Sequence, residues 1–267
     1  MNQDASSDNL IDLAIHAALE AGKAIMAYYH ESVQVDLKAD NSPVTAADHA
    51  AHKVIANLLS KSGVPIISEE GESVSYEERK GWRKFWLVDP LDGTKEFIHR
   101  NGEFTVNIAL IEDNVPVIGV VYAPVTGDLF IGKVGADAWY IDHADSLQME
   151  TINYSRYPIR PLTPSASTYA LAVSRSHQNQ ETLDYIESKK AKLGNLTTLA
   201  AGSSMKFCLV ALGKANEYPR FGPTMEWDTA AGHAILLAVG KDIVTFPDSR
   251  PLKYNKPSLV NGPFLAH

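Results

Sequence analysis

What the sequence is short of sets its first limits. It holds one cysteine, Cys208, in 267 residues, so no disulfide can form within the chain. In its setting, Met205-Lys206-Phe207-Cys208-Leu209-Val210-Ala211-Leu212, that thiol reads as a small buried hydrophobe, and a lone thiol fits a reducing compartment. No apolar run is long enough to span a bilayer. The longest candidate, Val106 to Val125, is broken by Glu112-Asp113-Asn114 and by Pro116. The chain does not open with a basic segment followed by an apolar run, so no secretory signal is expected. Basic residues are outnumbered, 24 Lys and Arg against 32 Asp and Glu, for a formal net charge of −8. That balance argues against a nucleic-acid polymer as partner. It also means that an anionic ligand would need local help, from a metal or from a few placed cations. Internal repeats and low-complexity tracts are absent.

What is present is enough for a substantial core: 45% of the residues are hydrophobic, and the length allows one large domain or two ordinary ones. The chain is organised around Trp86-Leu87-Val88-Asp89-Pro90-Leu91-Asp92-Gly93-Thr94. Phe85 to Val88 are strand formers, and the strand is expected to stop at Pro90, which cannot donate to a ladder. Asp92-Gly93 is a turn pair. Asp89 and Asp92 therefore sit at the end of a buried strand with a carbonyl between them and a hydroxyl after. Each aspartate alone could simply bond local N–H groups. Together they form a cluster of hard oxygen donors suited to Mg²⁺, Mn²⁺ or Ca²⁺.

The flanking pattern places this stretch in a fold. Residues 8–30 carry Leu10, Leu13, Ala14, Ala17, Ala21, Ala24, Ile25 and Tyr28 at helical spacing, with Ser7 or Asp8 able to cap the start. A short strand over 33–37 and a polar, proline-containing turn follow. Thr45-Ala46-Ala47-Asp48 has capping-box spacing and predicts a second helix, with Ala50, Val54, Ile55, Leu58 and Leu59 inward. Asp48 is on this pattern a helix-start carboxylate. Val64 to Ile67 is a strand ending in Ser68-Glu69-Glu70, and residues 72–84 read as an exposed linker or lid. Glu69-Glu70 alone reads as a surface acidic loop, but the repeat of strand followed by acids favours a site.

Phe104–Ile111, Val117–Tyr122, Leu129–Lys133 and Ala138–Ile141 predict an antiparallel meander. Pro158, Pro161 and Pro164 mark a boundary, giving an N-terminal domain at 1–155 and a C-terminal domain at 156–267. The second half alternates: a strand over 169–173, helices over 179–190, 203–212 and 230–239, and a strand over 243–246. Asp228 reads as the N-cap of the last helix. The fold class is thus mixed, α+β in the first half and α/β in the second.

Four separated segments, Pro43-Val44-Thr45-Ala46-Ala47-Asp48, Ser68-Glu69-Glu70, Asp89-Pro90-Leu91-Asp92-Gly93-Thr94 and Trp227-Asp228-Thr229-Ala230-Ala231-Gly232, together resemble the inositol monophosphatase superfamily of metal-dependent, lithium-sensitive phosphatases. The resemblance spans most of the chain and implies a layered α-β-α-β-α sandwich. It implies that Glu69, Asp89 and the Leu91 carbonyl hold one Mg²⁺, and that Asp89, Asp92 and Asp228 hold a second; two ions, or three, would be bound. It further implies that Asp48 and Thr94 orient and deprotonate the attacking water, with Glu69 also touching it. His49, His52 and His233 are read as surface or packing residues.

Within the superfamily, Thr94-Lys95-Glu96-Phe97 and Tyr218-Pro219-Arg220-Phe221-Gly222-Pro223-Thr224 look like the bisphosphate nucleotidase branch in its bacterial sulfur-assimilation form. Substrate would then meet Leu91, Asp92, Gly93, Thr94 and Asp228, together with Ser174, His177, Gly202 and Lys206. On the residues alone the last four could be a strand-end turn and a solvated lysine. The implied reaction is hydrolysis of the 3′-phosphate of 3′-phosphoadenosine 5′-phosphate to AMP and phosphate, relieving inhibition of sulfate activation. An inositol or sugar phosphatase of the same superfamily, or a non-catalytic metal or nucleotide binder, are the other readings. The resemblance allows a monomer or a homodimer in the cytoplasm, with peripheral association at the bacterial inner membrane open to that branch.

Overall fold

The computed structural model describes residues 7–30, 35–37, 43–146, 153–162, 169–176 and 179–267. The turn at 38–42, the start of the predicted strand at 33–34, Pro164 and His177 lie outside those residues. Helix α1 runs over Ser7–Tyr29. It is followed by the antiparallel pair β1 (Val35–Leu37) and β2 (Pro43–Thr45). Thr45 caps α2 (Ala46–Leu59), as the capping-box spacing predicts. On α1 the inward aromatic is Tyr29; Tyr28 is exposed. The buried stripe is broader than the spacing suggests and includes Ile11, Ile15, Ala18 and Leu19, because α1 meets both α2 and a sheet.

That sheet is built from β3 (Ile66–Ser68), β4 (Lys84–Asp92), β5 (Thr105–Glu112), β6 (Val115–Ala123), β7 (Asp128–Lys133) and β8 (Ala138–Ile141), six strands in sequence order. Only the β3–β4 pair is parallel. Between β3 and β4 lies a one-turn helix, α3 (Tyr76–Arg79). This segment is largely exposed, as expected of its charges, with Arg79 as its one inward anchor. Arg79 is 3% exposed, and its guanidinium donates to Asn255 Oδ1 and to the carbonyls of Lys256 and Pro257. A short helix α4 (Thr94–Ile98) leaves the end of β4.

The second half supplies β9 (Tyr169–Ser174), α5 (Gln180–Leu193), β10 (Leu196–Ala201), α6 (Met205–Ala211), β11 (Tyr218–Arg220), β12 (Thr224–Met225), α7 (Glu226–Ala238), β13 (Ile243–Thr245), β14 (Val260–Asn261) and β15 (Phe264–Ala266). β9 and β10 pair in parallel. β11, β15 and β13 form an antiparallel trio, joined to β9 by a bridge from Leu171 to Glu217. Last, β12 pairs with β14.

The layers follow from the sheet being buried on both faces. Trp86, Val88, Val106, Ile108 and Leu110 meet α1 and α2 in one core. Phe85, Leu87, Ala109 and Ile111 point the other way, into a second core with Phe207, Cys208, Ala230, Ala231, Ile235 and Phe264. A strand buried on both sides reads as a continuous apolar run, as β4 does. The order α1/α2, large sheet, α6/α7, second β layer, α5 is the α-β-α-β-α sandwich. Among the described residues no helix is long and apolar enough to cross a membrane.

Helix α7 lies close on the sheet because two strand positions lack side chains. A Cβ at Gly119 would sit 2.2 Å from the Ala231 carbonyl oxygen, and one at Gly132 would sit 2.6 Å from Ile235 Cα. Both neighbours are backbone and cannot swing aside. Gly132→Val is expected to destabilise the protein by about 2–3 kcal/mol in denaturant melts. Gly81→Ala, which meets nothing within 4 Å, is expected to stay within about 0.5 kcal/mol.

Candidate metal and phosphate site

The site begins where β4 loses its regular ladder. The strand does not stop at Pro90. Its pairing with β5 runs through Asp89 opposite Asn107, slips, and resumes with Asp92 opposite Thr105. Pro90, having no N–H, occupies the slip, so one irregularity absorbs it without ending the strand. Alternation along the strand puts Asp89 on the face of Phe85 and Leu87, toward α7. Asp89 Oδ1 accepts the Leu91 N–H at 3.0 Å. Gly93 then turns the chain into α4 at φ 95°, a conformation that other residues resist.

Glu69 comes alongside through β3: its N–H donates to the Val88 carbonyl at 3.1 Å. Asp228 arrives from the other half on α7. It is not the N-cap that the alanine-rich pattern suggests. The helix starts at Glu226, and Asp228 Oδ2 accepts the N–H of the capping residue Met225 at 2.8 Å. Asp48 has the same place on α2, accepting the Thr45 N–H at 2.8 Å. Carboxylates in both first turns favour the helix dipole.

One oxygen each from Glu69, Asp89 and Asp228 lie within 4.8 Å of one another. Asp92 adjoins them, its Oδ2 accepting from Ser204 Oγ at 2.9 Å and from Asn107 Nδ2 at 3.2 Å. Burial, then the charges of Glu69, Asp92 and Asp228, push the Asp89 carboxyl well above its ordinary range. Asp228 is raised in the same way, first by burial and then by Asp92. Burial also raises Asp92, opposed chiefly by the Lys206 charge. Oxygen donors held close at this electrostatic cost fit a hard divalent cation.

Asp48 and Thr94 meet at the edge of this cluster. Asp48 Oδ2 is saturated by the Thr45 N–H and by Thr45 Oγ1 at 2.6 Å, while Oδ1 accepts from Thr94 Oγ1 at 3.2 Å. Burial raises Asp48, and the bonds from Thr45 pull it back. So Asp48 caps its helix and, at 2% exposure, reaches the site through Thr94.

These groups open on a cavity of about 290 Å³. Glu69, Asp89, Leu91, Asp92, Gly93, Thr94, Ser174, Lys206 and Asp228 line it. Lys206 is not a solvated lysine. It is 4% exposed, bonded to the carbonyls of Ser203 and Ala201, and lowered to about 8 by burial. Gly202 is placed off the cavity wall. Its N–H donates to Glu103 Oε2 at 2.8 Å, and a Cβ there would meet the Glu103 carbonyl at 2.4 Å. His177 lies outside the described residues.

Sequence reasoning missed Ser203 and Arg220, which also line the cavity. Ser203 Oγ and Arg220 Nε are buried without a hydrogen-bond partner, and Ser203 holds a φ of 41°. Buried donors without acceptors in a cavity beside Lys206 fit an anion. The unusual Tyr-Pro-Arg run was the available signal for Arg220; nothing in the sequence marked Ser203.

The family model described as the inositol monophosphatase family matches residues 6–265. The chain belongs to this family. A curated relative from Escherichia coli strain K12, named 3′(2′),5′-bisphosphate nucleotidase CysQ, is 45% identical over 260 residues, covering 96% of this chain and 98% of the relative. The crystal structure of CysQ from Bacteroides thetaiotaomicron, described as a bacterial member of the family, is also 45% identical, with a TM-score of 0.90 and 98% of each chain covered. The inositol monophosphatase structure from Anabaena sp. PCC 7120 is 27% identical, with a TM-score of 0.73, over 98% of this chain and 91% of its own.

Asp89 and Asp228 hold protons more tightly in the folded chain than at their ordinary value of 3.8. In chelator they contribute stability at low pH that is lost as pH rises through their folded values. A divalent cation offsets that loss. Adding Mg²⁺ at about 100 times its Kd is expected to stabilise the protein by about 2.7 kcal/mol. At one fixed Mg²⁺ concentration the gain in Tm should grow as pH rises through the folded values of these carboxyls, and a gain independent of pH would contradict the carboxylate origin.

Proposed function

We propose that this chain is a 3′(2′),5′-bisphosphate nucleotidase that hydrolyses the 3′-phosphate of 3′-phosphoadenosine 5′-phosphate, giving AMP and phosphate. The observation that carries the reading is the juxtaposition, in one cavity, of an acidic cluster and an excess of buried donors. Glu69, Asp89 and Asp228 cluster within it, and Lys206, Ser203 and Arg220 line the same cavity, with Ser203 Oγ and Arg220 Nε unpartnered. A substrate with two phosphates fits such a cavity: one phosphate at the acids through cations, the other at the donors directly. The family membership and the names of the relatives support the same substrate. Clearing this by-product relieves sulfate-activation steps of its inhibition, and we place the activity in the cytoplasm.

In our assignment Glu69, Asp89 and the Leu91 carbonyl would hold one Mg²⁺, and Asp89, Asp92 and Asp228 would hold another. When bound, these ions neutralise the transferred phosphate and acidify a water. Thr94 Oγ1 donates its proton to Asp48 Oδ1, so its lone pairs are free to accept from that water. Asp48 can take the proton because burial raises it while Thr45 holds its other oxygen still. Lys206 holds the phosphate that stays, with Ser203 and Arg220 beside it, and Ser174 orients the nucleoside. The division at residues 155 and 156 separates these duties: the first half contributes most of the acids, the second the donors and Asp228.

Phosphate release should be measured from 3′-phosphoadenosine 5′-phosphate and from inositol 1-phosphate side by side, with Mg²⁺, with and without lithium. Strong preference for the nucleotide, lost on adding lithium, is expected; preference for inositol phosphate would overturn the substrate. Asp92→Asn and Asp228→Asn should each abolish turnover in a folded protein. For the nucleotide, kcat/KM should fall above about pH 8 as Lys206 loses its charge, and Lys206→Met should flatten that limb of the profile.

A further inference from the structure

Asp92 and Asp228 are held by groups that do not line the cavity, and one of them joins the two halves of the molecule. Ser204 is 1% exposed. Its Oγ lies 2.9 Å from Asp92 Oδ2, 2.9 Å from the Asp228 carbonyl oxygen, and 2.9 Å from Asn107 Nδ2. Asn107 Nδ2 also reaches Asp92 Oδ2 at 3.2 Å, and Asn107 Oδ1 accepts from Thr105 Oγ1 at 2.9 Å.

The protons can be assigned by counting donors. A carboxylate only accepts, so the amide NH₂ of Asn107 must face Asp92, which leaves its carbonyl for the Thr105 hydroxyl. The two amide protons then go to Asp92 Oδ2 and to Ser204 Oγ. Ser204 has one proton of its own, shared between Asp92 Oδ2 and the Asp228 carbonyl. Asp92 Oδ2 is thereby filled by two donors, and Oδ1 is the oxygen left for a ligand. The same hydroxyl grips the first turn of α7, so Asp92 and Asp228 are fixed relative to each other through one atom. Thr105 and Asn107 lie on one face of β5, opposite Asp92 and Asp89 in the register, so the sheet itself carries the assembly.

We infer that Ser204, oriented by Asn107 and Thr105, is a positioning residue that sets the spacing and the free oxygen of the Asp92–Asp228 pair and so fixes the affinity of the second cation. The inference rests on the proposed two-ion site. Groups that orient a metal ligand typically contribute 10–100-fold to metal affinity.

The test is Mn²⁺ titration by calorimetry, without substrate, on the wild type, Ser204→Ala, Ser204→Thr and Asn107→Leu, with melts in chelator alongside. In Ser204→Ala the weaker of two ions is expected to bind about tenfold less tightly, with the tighter ion unchanged and the chelator melt preserved. Its activity should need correspondingly more Mg²⁺ and recover at saturation with KM for the nucleotide unaltered. Ser204→Thr, which keeps the hydroxyl, should restore the affinity, and Asn107→Leu should reproduce the loss. Unchanged affinity for both ions in Ser204→Ala overturns the inference, as does an equal loss of both. A wild type that binds one ion is a separate failure, of the two-ion reading itself.

Discussion

The constraint on which the rest of the structure depends is the crowding of carboxylates at the end of β4. Glu69, Asp89, Asp92 and Asp228 converge at the cavity, Asp89 buried and the other three half-buried. Taking such charges out of water is costly unless each is bonded. The protein leaves their mutual repulsion in place and steadies the aspartates with N–H or O–H donors. Leu91 serves Asp89, Met225 serves Asp228, Ser204 and Asn107 serve Asp92, and Thr45 serves Asp48. Each donor occupies one carboxylate oxygen, so direction is set while the negative charge remains for a cation.

Holding like charges together requires a stiff support. The six-stranded sheet, packed on both faces, provides it. The slip at Pro90 aims Asp89 and Asp92 from one strand end, β3 brings Glu69 beside them, and the bare backbone at Gly119 and Gly132 lets α7 settle near enough to deliver Asp228. The same cavity also holds cationic side chains. Lys206 is kept within a shell of carbonyls and within the field of Asp92. Contacts across the cleft, Arg175 with Glu103 at 2.7 Å and Ser176 with Glu96 at 2.5 Å, tie the donor-bearing segments to the acidic half.

Much of this was legible in the sequence, and the omissions have physical causes. Helices α1 and α2 and the meander from β5 to β8 follow clear periods or clear turn residues. β10, Leu196-Thr197-Thr198-Leu199-Ala200-Ala201, is half exposed and lacks alternation, so no face announced it. β11, β12, β14 and β15 are two or three residues long, too short for a period to appear. Tyr29 replaced Tyr28 inside because α1 packs against two partners, which shifts the centre of its buried stripe. The charges of 72–84 suggested solvent, but Arg79 is held by a loop more than 170 residues away, at Asn255. Asp228 was placed one turn late because Glu226 and Trp227 have no apolar spacing; their helix is set by Asn255 and Lys256 bonding to Glu226.

By itself the sequence marked Asp48, Glu69, Asp89, Asp92 and Asp228, because each lies in a short motif, a strand end or a helix start, whose resemblance to the family singles it out. Periodicity, a property of neighbours in the chain, gave the mixed α and β class, while the layered order came with the family resemblance. Only the tertiary structure decided which oxygens of Asp48, Asp89, Asp92 and Asp228 take up N–H or O–H donors, that Ser203 and Arg220 line the cavity, and that Ser204 and Asn107 bond to Asp92. Those roles depend on donors that meet across separations such as the 97 residues between Asn107 and Ser204. A hydrogen bond of that range leaves no period or spacing in the chain that makes it.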